Sequence, residues 1–203
     1  MFVEIKKVPT KDIDALVIIH KCAFPNFFLT SLGDSFLSLY YKTVKNSNQG
    51  ILLGYYRETK LLGFCAATMV SASFHSRLIK ENLLNYSFIA FRLLLFRPLA
   101  IVRLYKNLVK KGSLIIEDKG NYAELLSIAV DTSCQGEGIG KKLLNELEKT
   151  VIERGGDCLS LTTDFEDNVK AQSFYASVGY KIFYDFIAYP KRKMYRYIKN
   201  LNK

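Results

Sequence analysis

The sequence predicts an α/β fold in a single domain, and three observations lead to that prediction. Segments typical of strands and of helices alternate over the second half of the chain. The 203 residues suffice for one domain with a sizeable core, but not for two. The composition is 49% hydrophobic, with 14 phenylalanines and 13 tyrosines, which excludes a disordered chain. Because no repeat or linker divides the chain, we expect residues 1–203 to form one domain.

The first half of the chain is expected to begin with a strand and two helices, followed by a β-hairpin. Thr10 can cap the first helix, whose apolar positions recur at helical spacing. A loop rich in aromatic residues, 25–30, separates the two helices. The expected bounds are a strand at 2–8, helices at 11–24 and about 32–45, and strands at 51–57 and 61–71.

The second half contains the clearest helix of the chain, which is expected at 139–154. The helix ends at two consecutive glycines, Gly155 and Gly156. Its apolar stripe consists of Ile139, Leu143, Leu144, Leu147, Val151 and Ile152. A shorter helix is expected at 168–178. Strands are expected at 113–117, 122–131, 158–163, 180–189 and 193–198.

Residues 72–112 are apolar and basic, and they are predicted to form a helical insertion of two amphipathic helices broken near Pro98. Three roles for this insertion stay open. It could pack on the domain or on a second subunit of a homodimer, it could form a substrate-specific lid, or it could contact a membrane peripherally through residues 83–108. Its most hydrophobic stretch, 83–102, is interrupted by Arg92 and Arg97, so we expect no transmembrane segment.

The net charge of +10 favours anionic partners, and it is concentrated in two segments. Residues 77–111 carry a net +7, and residues 181–203 carry a net +6. Phosphate-bearing molecules, a lipid surface or a nucleic acid are all compatible with this charge. No nucleic-acid recognition motif is present, so we expect no nucleic-acid partner.

The four cysteines are widely scattered and form no C-x-x-C pair. We therefore expect free thiols, no disulfide framework and no metal site. The N-terminus lacks the apolar region of a secretory signal, and a cytoplasmic location is expected.

The segment that predicts a function runs from an apolar strand into a glycine-rich turn. The clearest helix of the chain begins at this turn. The turn reads Gln135-Gly136-Glu137-Gly138-Ile139-Gly140. Glycines at a helix start allow close approach of a ligand to unpaired backbone N–H groups, which suits a phosphate. The spacing matches neither the P-loop nor the dinucleotide-binding fingerprint.

This run, Gln135-x-x-Gly138-x-Gly140, resembles the pyrophosphate motif of the GNAT superfamily of acetyl-CoA-dependent N-acetyltransferases. The downstream run Asn168-x-x-Ala171-x-x-Phe174-Tyr175 is similar to the second cofactor motif of that family. The resemblance implies a GNAT acyl-CoA N-acyltransferase fold, in which helices flank a mixed central sheet and the helical insertion lies between strands 3 and 4.

The resemblance also implies acetyl-CoA as cofactor and a set of residues that hold it. Backbone groups of Ile128, Ala129 and Val130 would hold the pantetheine, and those of Gln135 to Lys141 would hold the pyrophosphate. The full cofactor set is Ile128, Ala129, Val130, Gln135, Gly136, Glu137, Gly138, Ile139, Gly140, Lys141, Asn168, Ala171 and Tyr175.

By the same resemblance, Tyr175 is the expected general acid for the departing thiolate, and Glu124 is the expected general base for the amine, often through water. Phe27, Phe28, Thr30 and Glu124 are candidates for the acceptor site. The predicted reaction is transfer of an acetyl group to a primary amine of a small molecule, such as an amino sugar or a nucleotide-linked amino sugar, in a ternary complex. A non-catalytic acyl-CoA sensor and a protein or peptide N-acetyltransferase are the alternatives.

Overall fold

The protein folds around one seven-stranded mixed sheet with the order β1-β2-β3-β4-β5-β7-β6. The computed structural model describes residues 2–72, 74–96, 118–188 and 191–202. The pairing between β4 and β5 is parallel, and the other five pairings are antiparallel. The strands are β1 Val3–Lys7, β2 Gly50–Arg57, β3 Lys60–Thr68, β4 Ala123–Val130, β5 Cys158–Asp164, β6 Lys181–Ala188 and β7 Arg192–Asn200.

Helices cover both faces of the sheet, and each face has its own hydrophobic core. The helices of the described ranges are α1 Ile13–Ala23, α2 Phe28–Ser31, α3 Asp34–Asn46, α4 Phe74–Glu81, α5 Leu83–Phe96, α6 Ile139–Glu153 and α7 Val169–Ser177. We call the side packed against α1 and α3 the α1 face, and the side packed against α6 and α7 the α6 face. These layers confirm the predicted mixed central sheet flanked by helices.

Several boundaries differ from the predicted ones, for local reasons. Thr10 does not cap α1, because residues Thr10–Asp12 form a 3₁₀ turn and Asp12 occupies the cap position. The Asp12 carboxylate makes no capping bond to the helix and instead accepts a hydrogen bond from Tyr56 Oη over 2.9 Å. The predicted aromatic loop contains the short helix α2. Ile152 is 45% exposed, so it lies beside the buried stripe of α6 rather than in it.

The helical insertion lies between β3 and β4, as predicted, and its described part is α4 and α5. Tyr86 of α5 is buried against Phe36 of α3, with ring centroids 6.0 Å apart, while Leu84 and Phe88 on α5 are exposed. The two ends of the insertion are joined by hydrogen bonds from Ser71 N to Tyr122 O and from Ala72 N to Gly120 O. The predicted break near Pro98 and the predicted strand at 113–117 lie outside the described residues.

None of the helices in the described ranges is long and apolar enough to cross a bilayer. All four cysteines are free, with Cys65 and Cys134 buried. In the same ranges, no group of three or more histidine, cysteine or acidic side chains could hold a metal ion.

Candidate active site

The centre of the sheet opens where β4 and β5 diverge. The two strands are in register over only three pairs, from Ala123 with Leu159 to Leu125 with Leu161, although β4 continues for five more residues. A β-bulge on β4 accompanies the divergence, because Ala66 of β3 pairs with Ser127 while Ala67 pairs with Leu125. The edge of β4 that carries Ile128, Ala129 and Val130 therefore faces a gap beside β5. A narrow extended molecule can lie in such a gap and hydrogen-bond to a strand edge.

The glycine-rich turn lies at the end of β4 and is open on its outer side. Gly136 and Gly138 have φ values of +88° and +73°, which favour glycine, and a Cβ at either position would meet no atom within 4 Å. Gly138 also caps the N-terminus of α6, whose first N–H groups have no partner inside the helix. The turn thus presents backbone donors and the positive end of the helix dipole without obstruction.

The two cofactor motifs predicted from the sequence lie next to each other. A Cβ at Gly140 would lie 3.9 Å from Phe174 of α7 and 3.9 Å from Val130 of β4. Asn168 precedes α7 and donates from Nδ2 to Thr163 Oγ1 of β5 over 2.5 Å, so that α7 is fixed to this strand. Ala171 packs against the α6-face core. The end of β4, the turn and α7 together border the same region.

Tyr175 lies on α7 with 8% of its surface exposed. Its ring packs against Phe174, Tyr180 and Tyr197 at centroid distances of 5.2, 5.9 and 6.3 Å. Within the described ranges its hydroxyl has no hydrogen-bond partner. Burial, with a smaller contribution from Cys65, raises the pKa of Tyr175. The phenol is therefore protonated at neutral pH and can donate a proton.

Glu124 points to the α1 face of the sheet, because its neighbours in β4 belong to the core of the other face. Arg196 Nη1 of β7 donates to its Oε1 over 3.0 Å, and Ser71 Oγ donates to its Oε2 over 2.5 Å. The side chains of Glu124 and Arg196 are each 13% exposed. Glu124 is thus a part-buried, ion-paired carboxylate rather than a solvated one.

Arg196 belongs to a larger polar cluster that the sequence analysis did not identify. Its Nε lies 3.7 Å from Asp118, its Nη1 donates to Ser160 over 2.9 Å, and the hydroxyls of Tyr122 and Tyr184 donate to Asp118. Burial alone would raise the pKa of Asp118, but these hydroxyl donors, the Gly120 N–H and Arg196 lower it. Arg196 pairs with residues 36 to 78 positions away, so no local sequence pattern indicates the cluster.

A second missed feature is a chain of hydrogen bonds from α1 to the bulge of β4. Tyr41 Oη lies 2.7 Å from His20 Nδ1 and 3.0 Å from Ser127 Oγ. Only one nitrogen of the buried His20 ring has a partner: Nδ1 contacts Tyr41, whereas Nε2 is buried without a partner in the described part of the chain. Burial lowers the pKa of His20 to about 4, so its imidazole is neutral at pH 7.

The predicted acceptor residues at 27–30 occupy different environments. Phe27 packs 6.4 Å from the His20 ring, and the guanidinium of Arg192 lies 5.8 Å from the Phe27 ring. Phe28 belongs to the core and is 8% exposed. Thr30 Oγ1 donates to Phe24 O over 2.6 Å, which holds the segment in place.

The model of the Acetyltransferase (GNAT) family matches residues 13–180, so the chain belongs to this family of acetyltransferases. Its members are enzymes that use acetyl-CoA, as the resemblance implied. No curated protein sequence gives a significant match.

Solved structures that the chain resembles are N-acetyltransferases at low sequence identity, which supports the fold. The ribosomal-protein-S18-alanine N-acetyltransferase from Escherichia coli is 16% identical, with a TM-score of 0.62 over 100% of this chain and 96% of that one. An aminoglycoside 6'-acetyltransferase type Ii is 20% identical, with a TM-score of 0.62 over 98% of both chains. An acetyltransferase from Salmonella typhimurium, solved with its cofactor acetyl-CoA, is 13% identical, with a TM-score of 0.63 over 100% of this chain and 96% of that one.

Proposed function

We propose that this enzyme transfers the acetyl group of acetyl-CoA to a primary amine of a small molecule, by direct attack of the amine in a ternary complex. The observation that carries this proposal is the divergence of β4 from β5 beside the open glycine turn, with the buried phenol of Tyr175 on the adjacent helix α7. Acyl transfer from a CoA thioester to an amine needs a deprotonated amine, stabilisation of the oxyanion and a proton for the departing thiolate.

The residues of the turn and of β4 fit the cofactor. Backbone N–H groups from Gln135 to Lys141 would hold its diphosphate, since nothing covers the turn at Gly136 or Gly138. Backbone groups of Ile128 to Val130 would bind the pantetheine arm along the unpaired edge of β4. Bound acetyl-CoA supplies the thioester carbonyl that the amine attacks.

Tyr175 is the proposed general acid. Its phenol is protonated at neutral pH, as a tyrosine of ordinary pKa also is, and its hydroxyl is not committed to another described side chain. It can therefore give its proton to the departing sulfur atom.

Glu124 is the proposed general base. Each of its oxygens accepts one hydrogen bond and keeps a lone pair for a further donor, such as an ordered water between the carboxylate and the amine. Its ion pair with Arg196 fixes the orientation of the carboxylate beside Ser71, where the helical insertion begins. Phe27 is the proposed contact to the body of the acceptor, with Phe28 and Thr30 shaping that segment.

The net charge of +10 supports an acceptor that carries phosphate, for which a nucleotide-linked amino sugar is our first choice. The structural neighbours act on two other acceptor classes, ribosomal-protein alanine and aminoglycosides, so both belong in any test. The four free cysteines support a reducing compartment such as the cytoplasm.

The test is a thiol-release assay with acetyl-CoA against a panel of amines, run beside thermal unfolding with and without CoA. The panel consists of glucosamine, glucosamine 6-phosphate, a UDP-linked amino sugar, spermidine, an aminoglycoside and a peptide with N-terminal alanine. We expect stabilisation by CoA and turnover with an amino sugar. Turnover with the peptide alone would support protein acetylation instead, and stabilisation without any turnover would support an acyl-CoA sensor.

A further inference from the structure

The segment from Asp131 to Lys141, which includes the residues proposed to bind the diphosphate, carries two carboxylates, Asp131 and Glu137. Its one basic residue, Lys141, lies in the first turn of α6. Glu137 lies between the two open glycines, Gly136 and Gly138, and therefore belongs to the turn itself. An uncompensated carboxylate there would repel a polyanionic cofactor. The backbone amides and the helix dipole would then have to overcome this repulsion.

The compensating charge comes from the distant β2–β3 hairpin. Arg57, the last residue of β2, forms an ion pair through Nη2 with Oε2 of Glu137, 80 positions along the chain. The side chains are 26% and 43% exposed, respectively. The hairpin is held beside the turn because Leu62 O accepts a hydrogen bond from Asp131 N. The fold therefore brings Arg57 within reach of Glu137, and both side chains stay partly exposed.

The other carboxylate of the segment is compensated locally. Asp131 Oδ1 accepts hydrogen bonds from Ser133 N over 2.9 Å and from Ser133 Oγ over 2.7 Å. These bonds lower the pKa of Asp131, and the charge of Lys60 in the hairpin lowers it further. In the described part of the chain, Glu137 has Arg57 as its ion-pair partner, so the charge of this carboxylate is balanced by that residue.

We propose that Arg57 is a positioning residue for the cofactor, which acts by neutralising and holding Glu137 beside the phosphate-binding turn. The inference rests on the diphosphate site proposed above. It predicts that the penalty for losing Arg57 depends on Glu137 being present. A guanidinium that contacts a phosphate directly, or one that only stabilises the hairpin, would be needed whether or not Glu137 is present.

Four variants separate these possibilities: Arg57→Gln, Arg57→Lys, Glu137→Gln and the double variant Arg57→Gln/Glu137→Gln. Binding of CoA is measured by calorimetry in about 50 mM salt and again in about 500 mM salt, where the screening length is short. The control is Lys149→Gln, which removes the same charge from an exposed side chain of α6 that lies eleven residues beyond Gly138. Thermal unfolding confirms that each variant is folded.

In low salt we expect Arg57→Gln to weaken CoA binding by about three- to tenfold, because the pair is partly exposed and partly screened. Glu137→Gln and the double variant should bind at least as tightly as the unchanged protein, and Arg57→Lys should keep most of the affinity. High salt should remove most of the loss, and Lys149→Gln should stay within about twofold.

The proposal is overturned if the double variant binds as weakly as Arg57→Gln alone, or if Arg57→Gln binds normally. Failure of the unchanged protein to bind CoA would instead overturn the proposed cofactor site.

Discussion

Arg196 of β7 reaches across β5 and donates a hydrogen bond to Glu124 of β4 over 3.0 Å. Arg196 also faces Asp118, so one guanidinium lies between two carboxylates in a part-buried site. The substitution Arg196→Gln would leave the carboxylates of Asp118 and Glu124 without this cation. We expect a loss of about 3 kcal/mol in the free energy of unfolding, measured by urea denaturation.

The matched control is Lys193→Gln on the same strand. Lys193 pairs with Asp185 at 3.3 Å, and both side chains are well exposed, so the loss should be below about 1 kcal/mol. Equal losses for the two variants would show that the Arg196 cluster contributes no more than a surface ion pair.

Tyr175→Phe separates the proposed acid from the surrounding aromatic packing. The variant keeps the ring that contacts Phe174, Tyr180 and Tyr197. Because only the proton donor is lost, kcat should fall by about a hundredfold while the Kd for CoA stays within about twofold.

Tyr180→Phe is the companion variant. It removes a neighbouring buried hydroxyl that donates to Glu148 over 3.0 Å. It should lower stability and leave kcat nearly unchanged. If the two variants lose turnover equally, Tyr175 has no special role as an acid.

His20 should make the stability of the protein depend on pH between about 6.5 and 4. Its pKa is lowered to about 4 by burial, below the ordinary value of 6.5. The unfolded chain therefore takes up a proton first as the pH falls, and stability that is complete above pH 6.5 is lost towards pH 4. The difference corresponds to about 3 kcal/mol.

Urea denaturation of the unchanged protein and of His20→Gln over this range measures the effect, and the variant should show a flatter profile. An NMR titration of the native His20 ring gives an independent reading. A midpoint near 6.5 in the folded protein would contradict the predicted effect.

The sequence predicted the parts of the fold that depend on local patterns. The apolar stripe of α6 and the glycines that begin and end it predict that helix to within a residue. The 3₁₀ turn before α1 was missed because Thr10–Asp12 contains no apolar residue whose spacing could distinguish a 3₁₀ turn from the first turn of the α-helix. The helix α2 was missed because four residues are too few for a periodic pattern.

The two motifs predicted to bind the cofactor were recognisable because each is continuous in the sequence, and the positive φ values of Gly136 and Gly138 give a backbone reason for two of the glycines. The Arg196 cluster, the Tyr41 hydrogen bonds and the Arg57 ion pair could not be recognised. Each depends on strands or helices that meet only after folding, between residues 21 to 86 positions apart. From the sequence alone, such charged and polar residues are indistinguishable from ordinary surface residues, because their partners are known only once the topology is known.

The central claim is that the open backbone around Gly138 binds the diphosphate of CoA, and Gly138→Ala tests it most directly. A Cβ there meets no protein atom within 4 Å, so the substitution costs backbone strain of about 1 kcal/mol and blocks the space that the claim assigns to phosphate. Gly33→Ala is the matched control, since Gly33 has a φ of +90° and equally open surroundings at the start of α3.

Calorimetric titration with CoA should show at least a tenfold weaker Kd for Gly138→Ala and an unchanged Kd for Gly33→Ala, with both variants folded. Unchanged CoA affinity in Gly138→Ala would contradict the claim that this turn binds the cofactor.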